Sequence, residues 1–353
     1  MQKLALDEEI LMQVEQPARY IGGEINSVIK DPDKVKLRFA MCFPDVYEIG
    51  MSHLGIQILY SMFNRRKDVY CERVFSPWTD LDRILREKKI PLFTLESQRP
   101  VRECDFLGIT LQYEMCYTNI LQVLELSEIP LRAADRSDSD PIVIGGGPCT
   151  YNPEPIAPFF DLFYMGEGEV IYDQLLDLYL AHKETDGDRS SFLKKAAALP
   201  GIYVPSLYEP RYREDGTLSS FEPLCPEAPA SVRRLVMSVL DRADFIDTPL
   251  VPFIRVTQDR SVLELMRGCI RGCRFCQAGN VYRPQREHSV EYLKRYAEKL
   301  LKITGNEEIS LSSLSSSDYS RLQEFLEYLI QYTKERKINI SLPSLRIDAF
   351  SLD

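Results

Sequence analysis

Met266-Arg-Gly-Cys269-Ile-Arg-Gly-Cys273-Arg-Phe-Cys276-Gln-Ala-Gly279 puts three of the chain's nine cysteines within eight residues. Gly268 and Gly272 let the backbone curl, so three thiolates can turn toward one metal centre. An apolar run at 261–266, which reads as a short strand, leads straight into this loop. A helical pattern at 289–303 follows it, with Ser289 as N-cap. Further out, 308–314 reads as a second strand, 318–334 as a second helix and 338–343 as a third strand. Strand–helix repetition predicts a parallel sheet with the cysteines at its carboxyl edge. Two complete units and the start of a third do not close a barrel.

Thiolate sulfur suits zinc or an iron–sulfur cluster. A [4Fe–4S] cluster takes four ligands, and only three cysteines lie close together, which leaves one iron for a ligand that is not protein. A structural zinc site would take His288 as its fourth ligand. The charge around the loop suits an anionic occupant. Residues 255–302 hold 11 basic and 5 acidic side chains in a chain whose net charge is −10.

The CxxxCxxC spacing, with aromatic Phe275 before the last cysteine and a strand just upstream, resembles the radical S-adenosylmethionine (SAM) superfamily. The resemblance implies that Cys269, Cys273 and Cys276 bind a [4Fe–4S] cluster whose open iron chelates SAM. It further implies one-electron cleavage of SAM to a 5′-deoxyadenosyl radical, a flavodoxin- or ferredoxin-type electron donor, and an incomplete (β/α) barrel. Two later segments resemble SAM-binding strand ends of that family. Ser315, Ser316 and Ser317 stand where many members carry Gly-Gly-Glu, so their backbone carbonyls would meet the methionine amino group. Arg346 would pair with the SAM carboxylate, since a guanidinium fork matches it. The plainer readings are a helix cap for Ser317 and an Arg346–Asp348 ion pair.

The N-terminal half alternates in the same way. Strands are expected at 35–43, 69–75, 91–95, 106–111, 142–144 and 161–165, and helices at 52–64, 80–88, 116–126 and 169–180. This predicts a Rossmann-like parallel sheet, which binds ligands at its carboxyl strand ends. Asp45-x-Tyr47-x-x-Gly50 follows the first strand and resembles the Asp-x-His-x-x-Gly of cobalamin-binding domains, with tyrosine in place of the cobalt-ligating histidine. Gly145 and Gly146 match that family's glycine pair, which makes room for the nucleotide tail. His53 lies outside the pattern and is expected to be structural. Residues from about 17 onward resemble a group of radical SAM proteins with a cobalamin-domain-like N-terminal half, so cobalamin joins the cluster and SAM as a candidate cofactor.

The fold class is therefore α/β, with a Rossmann-like, B12-binding-like domain at 1–200, a hairpin and proline-rich connector at 201–254, and the N-terminal part of a radical SAM barrel at 255–353. Eight prolines between 200 and 252 and an Asp215-Gly216 turn mark the connector. The acidic balance argues against non-specific binding to nucleic acid or anionic membranes. No apolar run is long enough to span a bilayer, and the acidic start does not read as a secretory signal, so a cytoplasmic location is expected. The expected activity is radical SAM chemistry on an unidentified substrate, with cobalamin-linked methyl transfer as one form. The alternatives are a zinc-stabilised or cobalamin-responsive binding protein without catalysis.

Overall fold

The computed structural model describes residues 5–185, 187–242, 246 and 248–349. The outermost residues of the expected first and last domains, and connector residues 243–245 and 247, lie outside these. The chain divides into two compact units, Met1–Val236 and Met237–Asp353, and the division falls within the expected connector. No helix among the described residues is long and apolar enough to cross a membrane.

The first unit is built on β1 (Leu37–Phe43), β2 (Val69–Phe75), β3 (Phe106–Thr110), β4 (Ile142–Gly146), β5 (Leu162–Tyr164) and β6 (Ile202–Tyr203). The strands lie in the order β2-β1-β3-β4-β5-β6, parallel except for the antiparallel edge strand β6. Every residue of β1 and β2 is buried, as befits strands with both faces covered. The direction of winding reverses between β1 and β3, so a crevice-forming switch point lies at their carboxyl ends.

Two features depart from the expected pattern. The segment 91–95 is not a strand: Phe93 makes a single bridge to Pro100, and the chain turns back on itself there. Leu92 N–H donates to Leu126 O and Leu95 N–H to Arg73 O, so its backbone is satisfied by neighbours rather than by a ladder. The helix Arg189–Ala197, capped by Asp188, and the short strand β6 after it stand outside the expected pattern, although Phe192, Leu193, Ala196 and Ala197 bury one face of that helix. The hairpin around Asp215-Gly216 does form, as β7 (Tyr208–Tyr212) against β8 (Leu218–Pro223).

The turn at 91–100 carries Glu96 into the core. Arg73, in the middle of β2, donates from Nε to Glu96 Oε1 at 2.6 Å and from Nη1 and Nη2 to the two oxygens of Glu24 at 2.9 and 2.7 Å. Tyr47 Oη donates to Glu24 Oε1 at 2.8 Å. One guanidinium thus faces two carboxylates out of contact with water. Burial pushes the Glu96 carboxyl up to about 7 against the pull of Arg73, and the Glu24 charge adds to the rise. For Glu24, burial is outweighed by Arg73, and its pKa is lowered.

The second unit has β9 (Ser261–Glu264), β10 (Met266–Arg267), β11 (Arg286–Glu287), β12 (Glu308–Ser312) and β13 (Asn339–Ser341). Strands β9, β12 and β13 form a parallel sheet in the order β13-β12-β9, while β10 pairs antiparallel with β11. The helix Val290–Thr304 is capped by Ser289, whose Oγ accepts from Tyr292 N–H, and it stops at left-handed Gly305. The second helix runs Leu322–Lys334, later than expected, because a 3₁₀ turn at Ser316–Asp318 comes first. Leu263, Leu293, Ala297, Ile309, Leu311, Phe325 and Leu329 are fully buried and join both helices to the sheet.

Replacing Arg73 with Met leaves two buried carboxylates unpaired, which is expected to cost about 3–5 kcal/mol in denaturant unfolding. Glu96→Gln tests the titration. An acid whose native pKa of about 7 exceeds its ordinary 4.5 binds extra protons in the folded state between those values. Its contribution to stability therefore falls as pH rises through that window. Unfolding of the Gln variant between pH 5 and 7 should lack that downward slope.

Candidate functional site

Where β9 and β10 end, Gly268 turns the chain at φ +86°. A Cβ there would meet Tyr282 O and Pro284 O at 2.5 Å, so a side chain is barred twice over. Cys276 N–H donates to Cys273 O at 3.1 Å, closing a tight turn between two of the three cysteines. Arg271 N–H points at Cys269 Sγ and Gly279 N–H at Cys276 Sγ, each at 3.4 Å. All three cysteines are free and half-exposed, whereas Cys42, Cys71, Cys104, Cys116 and Cys149 are buried. Among the described residues no three His, Cys, Asp or Glu side chains stand together as a finished metal site. The donor set nevertheless fits an iron–sulfur cluster: three soft sulfurs share one short loop, and backbone N–H groups already aim at two of them.

His288 does not complete a Cys₃His zinc set. Its ring is 4% exposed, its Nδ1 lies 3.0 Å from Asp241 Oδ1, and it stacks on Tyr292 with centroids 4.2 Å apart. That histidine ties the residues before β9 to the start of the helix Val290–Thr304. Phe275, in contrast, is 92% exposed.

The loop after β12 contains the serines. Ser315 Oγ donates to Asp318 Oδ2 at 2.8 Å, and Ser316 Oγ to Pro343 O at 2.8 Å. Ser317 does not cap a helix, and its Oγ is buried without a hydrogen-bond partner among the described residues. Arg346, expected to be open to a carboxylate, already spans Asp348, from Nε to Oδ1 at 2.9 Å and from Nη2 to Oδ2 at 2.7 Å. The plainer of its two readings is therefore the observed one, because the acid two residues away satisfies the fork. The sequence reading assigned no role to Arg271 or Asp318. Arg271 reaches from inside the cysteine motif to Asp318, with Nε to Oδ2 at 2.9 Å and Nη2 to the other oxygen. The guanidinium holds the Asp318 carboxyl down to about 2. An arginine inside the cysteine motif and an acid closing a serine run were the available signals.

In the first unit, the switch point is bridged by Tyr113 Oη donating to Asp45 Oδ2. Asp45 Oδ1 accepts from Val46 N–H at 2.8 Å, and Asn119 donates to Pro44 O at 3.0 Å. Tyr47 is corrected from a cofactor position to a core one. It is 2% exposed and its hydroxyl is committed to Glu24, so it offers cobalt nothing. Gly50 gives way to the Phe75 ring, which would stand 2.2 Å from a Cβ, and Gly145 to Phe163 and Leu111 at 2.7 and 2.9 Å. Only Gly146 of these glycines is not closely crowded, with Tyr172 Oη 3.4 Å from where a Cβ would sit. His53 accepts from Ile56 N–H as a helix cap, and burial pushes its pKa down to about 4, so it is neutral.

Residues 55–205 match the family model for the N-terminal region of radical SAM proteins, and residues 263–352 match the radical SAM superfamily model. Through both of its units the chain is a radical SAM protein. An uncharacterised protein of Methanocaldococcus jannaschii is 25% identical over 322 residues, which cover 89% of this chain and 56% of the relative. The chain thus spans about half the length of that curated relative. Two solved structures of the radical SAM methyltransferase TsrM from Kitasatospora setae also align, each at 12% identity. One, with tryptophan and a SAM analogue bound, covers 86% of this chain and 54% of its own at a TM-score of 0.48. The other, with cobalamin and a [4Fe–4S] cluster bound, covers 87% and 56% at 0.49.

Tyr47→Phe removes a donor from buried Glu24 and should lower the unfolding free energy by about 1–3 kcal/mol. The visible spectrum of hydroxocobalamin added to that variant should match the spectrum with the parent chain.

Proposed function

We propose that the chain performs radical SAM chemistry, with Cys269, Cys273 and Cys276 holding three irons of a [4Fe–4S] cluster and SAM taking the fourth. The observation that carries this is the free CxxxCxxC loop at the carboxyl end of a parallel sheet, with backbone N–H groups turned toward its sulfurs. Such a cluster supplies one-electron cleavage of the sulfonium bond of SAM, which delivers a hydrogen-abstracting 5′-deoxyadenosyl radical. The loop at Ser315, Ser316 and Ser317 offers backbone carbonyls to the methionine amino group. Arg346 offers its fork to the methionine carboxylate by exchanging Asp348 for it, while Phe275 presents an apolar face beside the last cysteine. The basic surroundings favour an anionic occupant and a negatively charged electron donor of the flavodoxin or ferredoxin class.

In the first unit, the strand order and the reversal between β1 and β3 favour a nucleotide-tailed cofactor at Asp45 and Gly146. We place cobalamin there as the second cofactor of a methyl-transferring form of the reaction. It would draw no axial ligand from Tyr47, whose hydroxyl serves Glu24.

Anaerobic reconstitution with iron and sulfide should give about four irons per chain and a brown product. SAM and a reductant should then yield 5′-deoxyadenosine. Cys273→Ala should lose the colour and most of the iron. Four irons retained in that variant, or one zinc and no iron in the parent, would overturn the assignment.

A further inference from the structure

The loops after the three parallel strands of the second unit are joined by hydrogen bonds, the first link side chain to side chain and the second to backbone carbonyls. Arg271, between the first two cysteines, spans Asp318 in the loop after β12. Asp318 also accepts from Ser315 Oγ at 2.8 Å, and its backbone carbonyl accepts from Gln285 at 3.4 Å. From the same loop, Ser316 donates through Oγ to Pro343 O at 2.8 Å and through N–H to Ser344 O at 3.2 Å, reaching the loop after β13. Arg346 and Asp348 in that third loop act electrostatically on Arg271 and Asp318, so charges of alternating sign follow one another across the three loops.

The pair differs from an ordinary surface bridge. Asp318 has a side chain only 6% exposed, although Arg271 is 38% exposed. The contact is two-pronged, which fixes orientation as well as distance. It joins positions 47 residues apart. Ordering a glycine-containing loop costs about 1–2 kcal/mol of backbone entropy per residue, and the Asp318 contact holds this stretch together with the bond from Arg283 to Arg271 O at 3.3 Å. Arg271 also aims its own peptide N–H at Cys269 Sγ, so the placement of its backbone and the orientation of that sulfur are linked.

We infer that Arg271 and Asp318 are positioning residues, a clamp that registers the cysteine loop against the carboxyl end of β12 so that cluster retention and SAM binding depend on an ion pair that touches neither iron nor SAM. This rests on the cluster reading above. It adds that the β12 loop acts on the cysteines through a side chain, not only through backbone carbonyls offered to SAM.

The test uses the full chain with Asp318→Asn, Arg271→Gln and the charge-swapped pair Arg271→Asp with Asp318→Arg. After anaerobic reconstitution, iron release to a chelator, the electron paramagnetic resonance change on adding SAM, and the thermal unfolding midpoint are measured. Either single variant should lose iron about 10- to 100-fold faster and need correspondingly more SAM for the spectral change, as when a residue that orients a metal ligand is removed. The unfolding midpoint should stay near that of the parent, and the charge swap should recover part of both losses. Parent-like iron retention and SAM response in both single variants overturn the inference, as does a charge swap that recovers neither. A parent chain that assembles no cluster overturns the cluster reading and this inference together, whereas failure confined to the variants overturns this inference alone.

Discussion

Parallel pairing of strands constrains everything else in both units. Strands that run the same way must be joined by crossovers, so every loop that follows a strand is delivered to one edge of the sheet. In the second unit this gathers the cysteines after β9, the serines after β12 and Arg346 after β13, from segments far apart in the chain. In the first unit it brings Asp45 after β1 to Tyr113 after β3. No single segment needs to hold a site, because the topology assembles one from short pieces.

Ion pairs do different work in the two units. Arg73 lies between Glu24 and Glu96 in the interior, where removing one partner leaves charge stranded in a medium that solvates it poorly. Arg271 and Asp318 sit at a rim, where solvent weakens the attraction but the geometry still fixes two loops. The first arrangement holds a strand in its sheet; the second ties the cysteine loop to the loop after β12. Arg38 with Glu72 repeats the interior arrangement beside Arg73, with Thr94 and Ser97 from the 91–100 turn completing the carboxylate's bonds.

Most strands were legible because apolar runs bounded by turn residues report burial directly. The segment 91–95 shares that signature yet forms a turn, because its apolar residues fill the core while its backbone bonds to separate neighbours. Tyr47 shows another limit. Its spacing matched a ligand position, but spacing does not report which way a side chain turns, and buried Glu24 claims its hydroxyl. The cysteine loop was legible because three soft donors so close together have few other uses. Asp318 was not, since an acid after serines looks like any solvated residue until Arg271 is seen across the loop.

The hydrogen bond from Tyr113 to Asp45 staples together the two leaves of the crevice between β1 and β3. A guest seated there must either share that bond or part it. The fraction of molecules with the staple undone then scales the apparent affinity of any guest that needs the leaves apart.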